Sequence, residues 1–447
     1  MQQFSYSSEM PYPAEEVFAW HLRKGAIERM IPPWKKVFFL FPPGSPQEEG
    51  SQVALKVSLG PFSFKWILRH ERISKWEFSD VQLQGPFKKY RHTHEMIPHG
   101  SSCTLREKIH CESYLPNAWL EREFSRLFSW RHALLKEDLK LFNRYRREPM
   151  RILLSGSHGL IGSHLKVLLE TAGHDVTCLV RLGGAKKEEN AVCWDPTTGT
   201  LCKEDFEGFD AVIHLAGESI ASKKWDKRQK HSLFLSRCRD TWLLSQVLCR
   251  LYRPPQTVIT ASAIGFYGDR GSEELTEESP AGRGFLPELC TKWEEATHAI
   301  EQRGSRVAQA RFGMVLSAKG GALARLLLPY KLGLGGRLGS GAQIVSWVGI
   351  DDAIGALYHI LMEESLSGPV NVVAPKPLRQ KEFADILAKK LYRKAWMPLP
   401  ASLLRWAFGE MGEELLLSSQ NVKPQKLLET QYAFRYPDLS QALDFVM

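Results

Sequence analysis

The chain has 447 residues, a formal net charge of +9 and a hydrophobic fraction of 43%. This length exceeds one ordinary core and predicts at least two domains. The charge is mild and forms no long basic run, which argues against a nucleic-acid partner, and the eight cysteines include no Cys-x-x-Cys pair, which argues against a zinc ribbon or a disulfide framework.

Targeting and membrane signals are the next property of the sequence. No segment approaches the roughly 18 consecutive apolar residues of a membrane-spanning helix. Near the N-terminus, Pro11, Pro13, Glu15 and Glu16 stand where a secretory signal would have a basic start and an apolar run. Together with scattered cysteines typical of reduced thiols, this pattern predicts a cytoplasmic protein without a membrane span.

Residues 1–147 form the first predicted domain, with an α+β pattern. A short helix is predicted near residues 14–27, and a long closing helix near 117–145 carries a broad apolar face. Between them, short strand-like runs are separated by Pro and Gly. The predicted strands are residues 52–59, 62–74, 75–84, 90–98 and 103–114.

This order of elements, with the phrase FKKYRHTHEMIPHGSSCTLREKIHCE, resembles the START-like, polyketide-cyclase class of helix-grip proteins. The resemblance implies a sheet wrapped around the long helix, with an apolar cavity for a hydrophobic ligand. His92, His94 and His110 alternate within the predicted strands. We interpret them as surface or satisfied core residues, so no metal site is expected here or elsewhere.

A charged linker, residues 144–149, leads to a strand, glycine turn, helix and second strand over residues 150–181. Glycines at the turn allow a tight bend, a close approach to a pyrophosphate and close packing of the helix on the sheet. The pattern predicts a dinucleotide site, against the alternative of a flavodoxin-like or methyltransferase-like turn. The predicted cofactor-binding residues of the turn are Gly156, Ser157, His158, Gly159, Leu160, Ile161 and Gly162.

Arg181 closes the second strand, where an NAD-binding protein would place a carboxylate near the ribose 2′-hydroxyl. A guanidinium there can pair with a 2′-phosphate instead. Arg181 therefore favours NADP(H) as the cofactor, and the alternative is an ordinary solvated arginine at a strand end.

Strands and helices alternate beyond Arg181, which predicts a doubly wound parallel α/β sheet. Residues 210–217, 257–268 and 305–316 are the further predicted strands. Ligands in such sheets bind beyond the carboxyl ends of the strands, so the small residues after the first of these are predicted to contact the cofactor. They are Leu215, Ala216 and Gly217, followed by Glu218.

Three later segments receive structural interpretations. The glycine-rich stretch 332–341 lacks a preceding buried strand and is predicted to be a flexible substrate-side loop. Asp351 and Asp352 open a helix, where carboxylates are favoured with or without a ligand. Residues 378–447 are predicted to form two or three helices capping the substrate cleft, after a nucleotide-binding domain over residues 150–377.

Many motifs in residues 150–447 identify this region as resembling the short-chain dehydrogenase/reductase superfamily, in its extended or atypical "epimerase family" branch. The resemblance implies a Rossmann fold, an NADP-type site and, in some members, a fused N-terminal helix-grip domain. The motifs that carry it include SGSHGLIG, HLAGESIASKKW, TASAIGFYGDRG, LTEESP, GFLPELCTKWEE, RFGMVLSAKGGAL and SGPVNVVAP.

The superfamily's chemistry uses a serine and a Tyr-x-x-x-Lys pair. On this chain the serine falls on Ser262 and the lysine on Lys292, but the tyrosine position holds Glu288. Tyr267 is a nearby phenol that could take part in catalysis, and the alternative is that its role is structural. The resemblance thus implies Ser262, Tyr267, Glu288 and Lys292 as catalytic candidates, with Lys292 also holding the cofactor ribose, while the missing tyrosine puts the usual mechanism in doubt.

Two functions remain open at this stage. One is an NADP(H)-dependent epimerase or oxidoreductase acting on a small carbonyl or hydroxyl compound or a sugar nucleotide. The other is a catalytically silent NADP(H)-responsive regulator or ligand carrier, in which the N-terminal domain binds the functional ligand. Ser262 and Lys292 favour the enzyme, and Glu288 favours the regulator.

Overall fold

A computed structural model of the chain describes residues 1–41, 48–59, 62–182, 190–197 and 203–447. These residues divide into two compact units. One comprises Met1–Glu148 together with Val167–Gly173, and the other comprises Pro149–Lys166 and His174–Met447. No helix among the described residues is both long and apolar enough to cross a membrane.

The first unit is a seven-stranded antiparallel sheet with three helices. Its strand order is β1-β7-β6-β5-β4-β3-β2, so the first strand pairs with the last. The strands are Gln2–Met10 (β1), Lys36–Phe39 (β2), Gln52–Leu59 (β3), Phe62–Ser74 (β4), Glu77–Gln84 (β5), Lys89–His99 (β6) and Ser102–Glu112 (β7). The helices are Ala14–His21 (α1), Ala26–Arg29 (α2) and Asn117–Tyr145 (α3).

Side chains that alternate between buried and exposed positions form the sheet's contribution to the core. Along β7 every second side chain is buried, from Cys103 to Cys111. These side chains pack with aromatic and aliphatic residues of α1 and α3. The unit's core residues include Phe18, Trp20, Phe78, Met96, Leu105, Ile109, Leu120, Phe128, Leu135 and Leu139.

The structure corrects the first predicted helix and adds two strands. The predicted helix near residues 14–27 is two helices, because the chain turns between them at Gly25, whose φ is +84°. The added strands are β1 and β2. In β1 the alternation of Phe4, Tyr6 and Met10 with polar residues is the signal that would have revealed it.

The second unit is built on a seven-stranded sheet in which every pair is parallel, in the order β10-β9-β8-β11-β12-β14-β18. The remaining strands form three two-stranded pairs. The strands are Arg151–Ser155 (β8), Asp175–Arg181 (β9), Ala191–Trp194 (β10), Ala211–His214 (β11), Thr257–Ala263 (β12), Glu274–Leu275 (β13), Arg306–Phe312 (β14), Met314–Leu316 (β15), Ile344–Val345 (β16), Trp347–Gly349 (β17), Gly368–Val372 (β18), Leu378–Arg379 (β19) and Asn421–Val422 (β20).

Helices connect these strands. A π-helical turn, Leu235–Arg239, joins two of these helices, and a 3₁₀ turn, Ile264–Tyr267, follows the strand β12. The helices are Leu160–Ala172 (α4), Lys227–Phe234 (α5), Asp240–Cys249 (α6), Phe285–Glu295 (α7), His298–Gln302 (α8), Gly321–Lys331 (α9), Ile350–Met362 (α10), Gln380–Lys390 (α11), Ala401–Phe408 (α12), Glu410–Gly412 (α13), Gln425–Glu429 (α14) and Leu439–Val446 (α15).

The strand order of the parallel sheet indicates where a ligand would bind. From β8 the chain moves outward to β9 and β10, then returns to β11 on the other side of β8. The crevice between β8 and β11 is therefore the point at which the direction of winding reverses. In sheets of this kind, ligands bind outside the carboxyl ends of the strands at that point.

One prediction for the C-terminal part is wrong. The region from Gln380 contains five helices, α11 to α15, rather than two or three, since most are too short to show a clear helical period. The stretch 332–341 is an irregular segment, as predicted for a loop, and backbone hydrogen bonds connect it to Leu399: Leu399 N donates to Arg337 O at 2.9 Å, and Gly339 N donates to Leu399 O at 2.8 Å.

No disulfide joins the seven cysteines that the structure describes. Cys103 and Cys111 are buried in the first unit, and Cys178, Cys238 and Cys290 are buried in the second. Cys193 is exposed and Cys249 is half-buried. Cys202 lies outside the described residues.

Candidate functional site

The glycine turn after β8 depends on the absence of side chains at two positions. Gly156 adopts a φ of +74°, a conformation that favours glycine. Gly159 N donates to Gly156 O at 2.8 Å, which closes the turn. A Cβ at Gly162 would collide with the same carbonyl oxygen, so α4 can start this close to the turn only with glycine there.

The turn also lies against the end of β11. A Cβ at Gly156 would be 2.8 Å from Ala216 N, so the backbones following β8 and β11 are nearly in contact. Ser155 Oγ joins the two strand ends, lying 2.6 Å from His214 Nδ1 and accepting from Leu215 N at 3.1 Å. Burial, followed by the nearby Arg181 charge, lowers the pKa of His214 to about 4, which keeps this imidazole neutral.

Residues of the turn offer donors to a ligand. Ser157 is buried and its hydroxyl has no hydrogen-bond partner among the described residues. His158 and Gly159 are exposed, and Leu160 and Ile161, which begin α4, are half-buried. A buried hydroxyl without a partner beside a helix N-terminus fits a phosphate group, which would accept from both.

Arg181, at the end of β9, shares one buried carboxylate with a second arginine. Arg181 Nη2 lies 2.8 Å from Asp240 Oδ2, and Arg239 Nη2 lies 2.8 Å from Asp240 Oδ1. The Asp240 side chain is 2% exposed, whereas those of Arg181 and Arg239 are 57% and 34% exposed. Asp240 therefore fixes two guanidinium groups that remain partly exposed, an arrangement suited to a phosphate. Neither Arg239 nor Asp240 was predicted from the sequence.

The segment after β11 is held from behind by side chains of α5 and the π-helical turn. The Glu218 carboxylate accepts from Gln229 at 2.9 Å and also from Ser232. The hydrogen bond from Ser232 is the main cause that lowers the pKa of Glu218. Arg237 Nη2 donates to Glu218 O at 2.8 Å. These bonds commit the Glu218 side chain to the protein, so Leu215, Ala216 and Gly217 offer mainly backbone to a ligand.

Ser262, at the end of β12, is turned into the protein. It is 2% exposed, and its hydroxyl donates to Glu294 Oε1 at 2.6 Å. Arg311 in β14 binds the same carboxylate with Nε at 2.8 Å and Nη2 at 2.7 Å. The Ser262 hydroxyl is thus part of a charged, mostly buried network.

Tyr267 belongs to this network too. Its hydroxyl accepts from Arg311 Nη1 at 2.9 Å and donates to Asn371 Oδ1 at 2.8 Å. The side chain is fully buried, and burial raises the pKa of Tyr267. The structure therefore brings Ser262 and Tyr267 together through Glu294, Arg311 and Asn371, three residues that the sequence analysis missed.

Glu288 and Lys292 share the exposed face of α7, as their spacing predicted. Lys292 Nζ lies 2.8 Å from Glu295 Oε2, and this hydrogen bond is the main cause that raises the pKa of Lys292. Ser262 and Tyr267 are not on this face. The four catalytic candidates consequently fall into two separate pairs, one buried and one exposed.

Asp352 is structural. It is buried and accepts from Arg435 N at 2.7 Å and from Tyr436 N at 2.9 Å, which fixes the chain before α15. Burial raises the pKa of Asp352 to about 6. Asp351 is buried beside it, 3.8 Å from Arg435 Nη1.

Known proteins resemble the second unit of this chain. A model described as the NAD dependent epimerase/dehydratase family matches residues 152–373, and a model described as a domain of unknown function matches residues 399–446. An epimerase family protein of Mycobacterium bovis is 38% identical over 294 residues, which are 66% of this chain and 96% of that protein.

Two solved structures extend the comparison. A crystal structure named as the nucleoside-diphosphate sugar epimerase from Corynebacterium glutamicum has a TM-score of 0.81 and 31% identity, covering 99% of this chain and 89% of that one. The crystal structure of human epimerase family protein SDR39U1 with NADPH has a TM-score of 0.61 and 33% identity, covering 66% of this chain and 99% of that one. The chain therefore belongs to the NAD-dependent epimerase family, with a Rossmann-like parallel sheet.

Proposed function

We propose that the second unit binds NADP(H), with the 2′-phosphate held by Arg181 and Arg239. The observation that carries the proposal is the pair of guanidiniums fixed on buried Asp240 at the end of β9. The pyrophosphate would lie on the turn Gly156–Gly162, the adenosine part beside Leu215–Glu218, and the ribose near Lys292. NADPH in the related human structure supports the choice of cofactor.

As an enzyme, this chain would be an NADP(H)-dependent epimerase or oxidoreductase. Its substrate would be a small carbonyl or hydroxyl compound or a sugar nucleotide, a class supported by the name of the Corynebacterium glutamicum relative. The bound cofactor would supply or accept hydride. The protein would then have to orient the substrate and to give or take its proton.

The exposed face of α7 is the best candidate for that proton transfer. Glu288 stands where the superfamily has tyrosine, and its carboxylate is exposed. Ser262 and Tyr267 have hydroxyls committed to Glu294, Arg311 and Asn371, so we assign them a positioning role. Glu288 would exchange the substrate proton, and Lys292, one turn along, would bind the cofactor ribose.

The second candidate is a catalytically silent NADP(H)-responsive regulator or ligand carrier. The buried network around Ser262 and Tyr267 favours it, because the hydroxyls that act in related enzymes are already hydrogen-bonded inside this protein. Under this alternative the cofactor site would be retained for binding alone.

For the first unit we propose a helix-grip domain that binds an apolar ligand. The antiparallel sheet and the 29-residue helix α3 support this fold. A cleft of about 220 Å³ lies between β1 and α3, with Phe4, Tyr6, Phe124 and Phe128 among its lining residues. Its walls combine these four aromatic rings with polar side chains such as Gln3, Asn117 and Glu121, so they would suit a small, mostly apolar compound that also carries a polar group. Free thiols in both units support a reducing compartment, the cytoplasm.

The cofactor proposal is tested by titrating NADPH and NADH against the full-length protein. We expect NADPH to bind more tightly than NADH. Arg181→Ala or Arg239→Ala should weaken NADPH binding by about tenfold or more and change NADH binding little, because each removes a charge-assisted hydrogen bond worth about 1.5–3 kcal/mol. Exposed Arg250 at the end of α6 provides the control, Arg250→Ala. Equal affinities for the two cofactors, or unchanged ratios in both variants, would refute the proposal.

Turnover separates the two candidate functions. We expect NADPH oxidation with a member of a panel of carbonyl compounds and sugar nucleotides, and a fall in kcat of at least about a hundredfold in Glu288→Gln, in line with the loss of a general acid or base. Glu301→Gln, on the exposed surface of α8, is the control. A panel without any turnover, combined with tight NADPH binding, favours the regulator.

A further inference from the structure

The interior of the first unit contains a cluster of buried titratable side chains that neither proposed function uses. Four histidines and two carboxylates meet there from five elements of the fold. They are His21 at the end of α1, Asp80 on β5, His92 and His94 on β6, Glu107 on β7 and His132 on α3. The four imidazoles and Glu107 are each at most 5% exposed.

The distances within this cluster converge on Glu107. Its Oε2 lies 2.9 Å from His92 Nε2 and 2.8 Å from His94 Nδ1, while its Oε1 lies 3.2 Å from His132 Nε2. One ligand atom from each of His21, His94 and Glu107 lies within 4.8 Å of the others. A metal bound at about 2.0–2.2 Å from each atom would need only small shifts of these side chains.

Hydrogen bonding leaves ring nitrogens of this set available. His94 Nδ1 is close to Glu107 but lacks the geometry of a hydrogen bond, and it counts as buried without a partner among the described residues. His21 Nδ1 lies 2.7 Å from Val17 O, which fixes the proton on Nδ1. Its Nε2 is then unprotonated, the form that binds a metal ion.

We propose that His21, His94 and Glu107 form a binding site for a divalent transition-metal ion of the zinc type. Two imidazoles and one carboxylate are ligands that Zn²⁺ accepts, and three protein ligands leave a fourth position for water or another ligand. No metal site is predicted here from the sequence, and the three ligands lie on three different elements without a recognisable spacing.

Neighbouring side chains hold these ligands in the manner of an outer coordination shell. The other ring nitrogen of His94 lies 3.5 Å from Asp80 Oδ2, as in a carboxylate–histidine–metal arrangement. His132 bridges Glu107 and Ser8, whose Oγ lies 2.6 Å from His132 Nδ1. Phe78 stacks on the His94 ring with centroids 4.3 Å apart, which restricts its orientation. The site is therefore rigid before any ion binds.

The ordinary alternative is a buried ion-pair network in which a proton takes the place of the metal. Burial opposes a charge on His94, but the negative charges of the Glu107 and Asp80 carboxylates, which face its two ring nitrogens, raise the pKa of His94 to about 9. Burial is the largest effect on His21 and lowers its pKa to about 3. Under this alternative the cluster would be satisfied by one proton on His94 and would not retain an ion.

The experiment uses the full-length protein, stripped with chelator and then dialysed against Zn²⁺ or Co²⁺ alone. We expect one equivalent of Zn²⁺ per chain after gel filtration, and a Co²⁺ absorption spectrum typical of four-coordinate histidine ligation. His21→Gln and His94→Gln should each weaken Zn²⁺ binding by at least about tenfold, and His132→Gln by a smaller factor. His110 on β7, half-buried and outside the cluster, supplies the control His110→Gln.

Far-UV circular dichroism and a cooperative denaturant transition of the first unit establish that each variant is folded, and NADPH affinity establishes that the second unit is intact. If His94→Gln does not fold, His21→Gln decides, because among the described residues the His21 ring hydrogen-bonds to the backbone of Val17. Failure of the wild-type protein to retain Zn²⁺, or equal retention by His21→Gln and His110→Gln, would overturn the proposal. Neither result would affect the cofactor proposal, whose readout is NADPH binding in the second unit.

Discussion

In the antiparallel unit six titratable side chains meet inside the protein, whereas in the parallel unit the glycine turn of the candidate cofactor site lies at a strand end and is formed largely by backbone. The first arrangement depends on which side chains are present and on their charges. The second depends on side chains being absent, as at Gly156 and Gly162. A buried charged cluster is energetically expensive to break, while a backbone site is tolerant of most changes except those that fill its space.

The strongest test of this contrast removes the central carboxylate of the charged cluster. Glu107→Ala leaves His92, His94 and His132 without the carboxylate that all three contact, so we expect the free energy of unfolding of the first unit to fall by about 3–5 kcal/mol. Denaturant unfolding of chelator-treated protein measures this. Glu95→Ala, on a surface charge pair with Arg106 and Lys108, should cost at most about 1 kcal/mol. Similar losses in the two variants would contradict the contrast.

The second test uses pH on the parallel unit. His214 has a folded-state pKa of about 4, below the unfolded value of about 6.5, so the unfolded chain binds the proton first and stability falls as pH drops from about 6.5 to about 4. The full loss would be about 3 kcal/mol. His214→Asn keeps an acceptor for Ser155 and should not show this loss when unfolding is measured at each pH.

His231, which is exposed on α5, gives the matched control for this pH experiment. The variant His231→Asn should follow the wild-type curve. If the stability of His214→Asn falls with pH as much as that of the wild type between about pH 6.5 and 4, the buried imidazole does not titrate as described.

The smallest expected effect comes from separating the units. We predict that residues 150–447 fold alone and bind NADPH within about twofold of the full-length affinity, because the glycine turn and Arg181, Arg239 and Asp240 all belong to the second unit. Since Val167–Gly173 groups with the first unit, some loss of stability is expected in the fragment. If the fragment is insoluble, or if it binds NADPH ten times more weakly than the whole chain, the cofactor site needs residues 1–149.

The same contrast explains what the sequence could predict. The glycine turn occupies seven consecutive residues, and Arg181 ends the strand that follows, so local patterns were enough to locate them. Asp240, by contrast, contacts Arg181 from 59 positions away, and Glu294 contacts Ser262 from 32 positions away. The histidine cluster gathers residues from α1 to α3, and only the pairing of β5, β6 and β7 brings them together. Such clusters leave no spacing to recognise.

The buried thiols give each unit its own internal probe. Burial is the main effect that raises the pKa of Cys103 to about 11 and that of Cys290 to about 12, so neither sulfur is a nucleophile in the folded protein. An alkylating reagent can reach them only when the surrounding structure opens. Labelling of Cys103 therefore follows the opening of the antiparallel sheet, and labelling of Cys290 follows the opening of α7, the helix that carries Glu288 and Lys292.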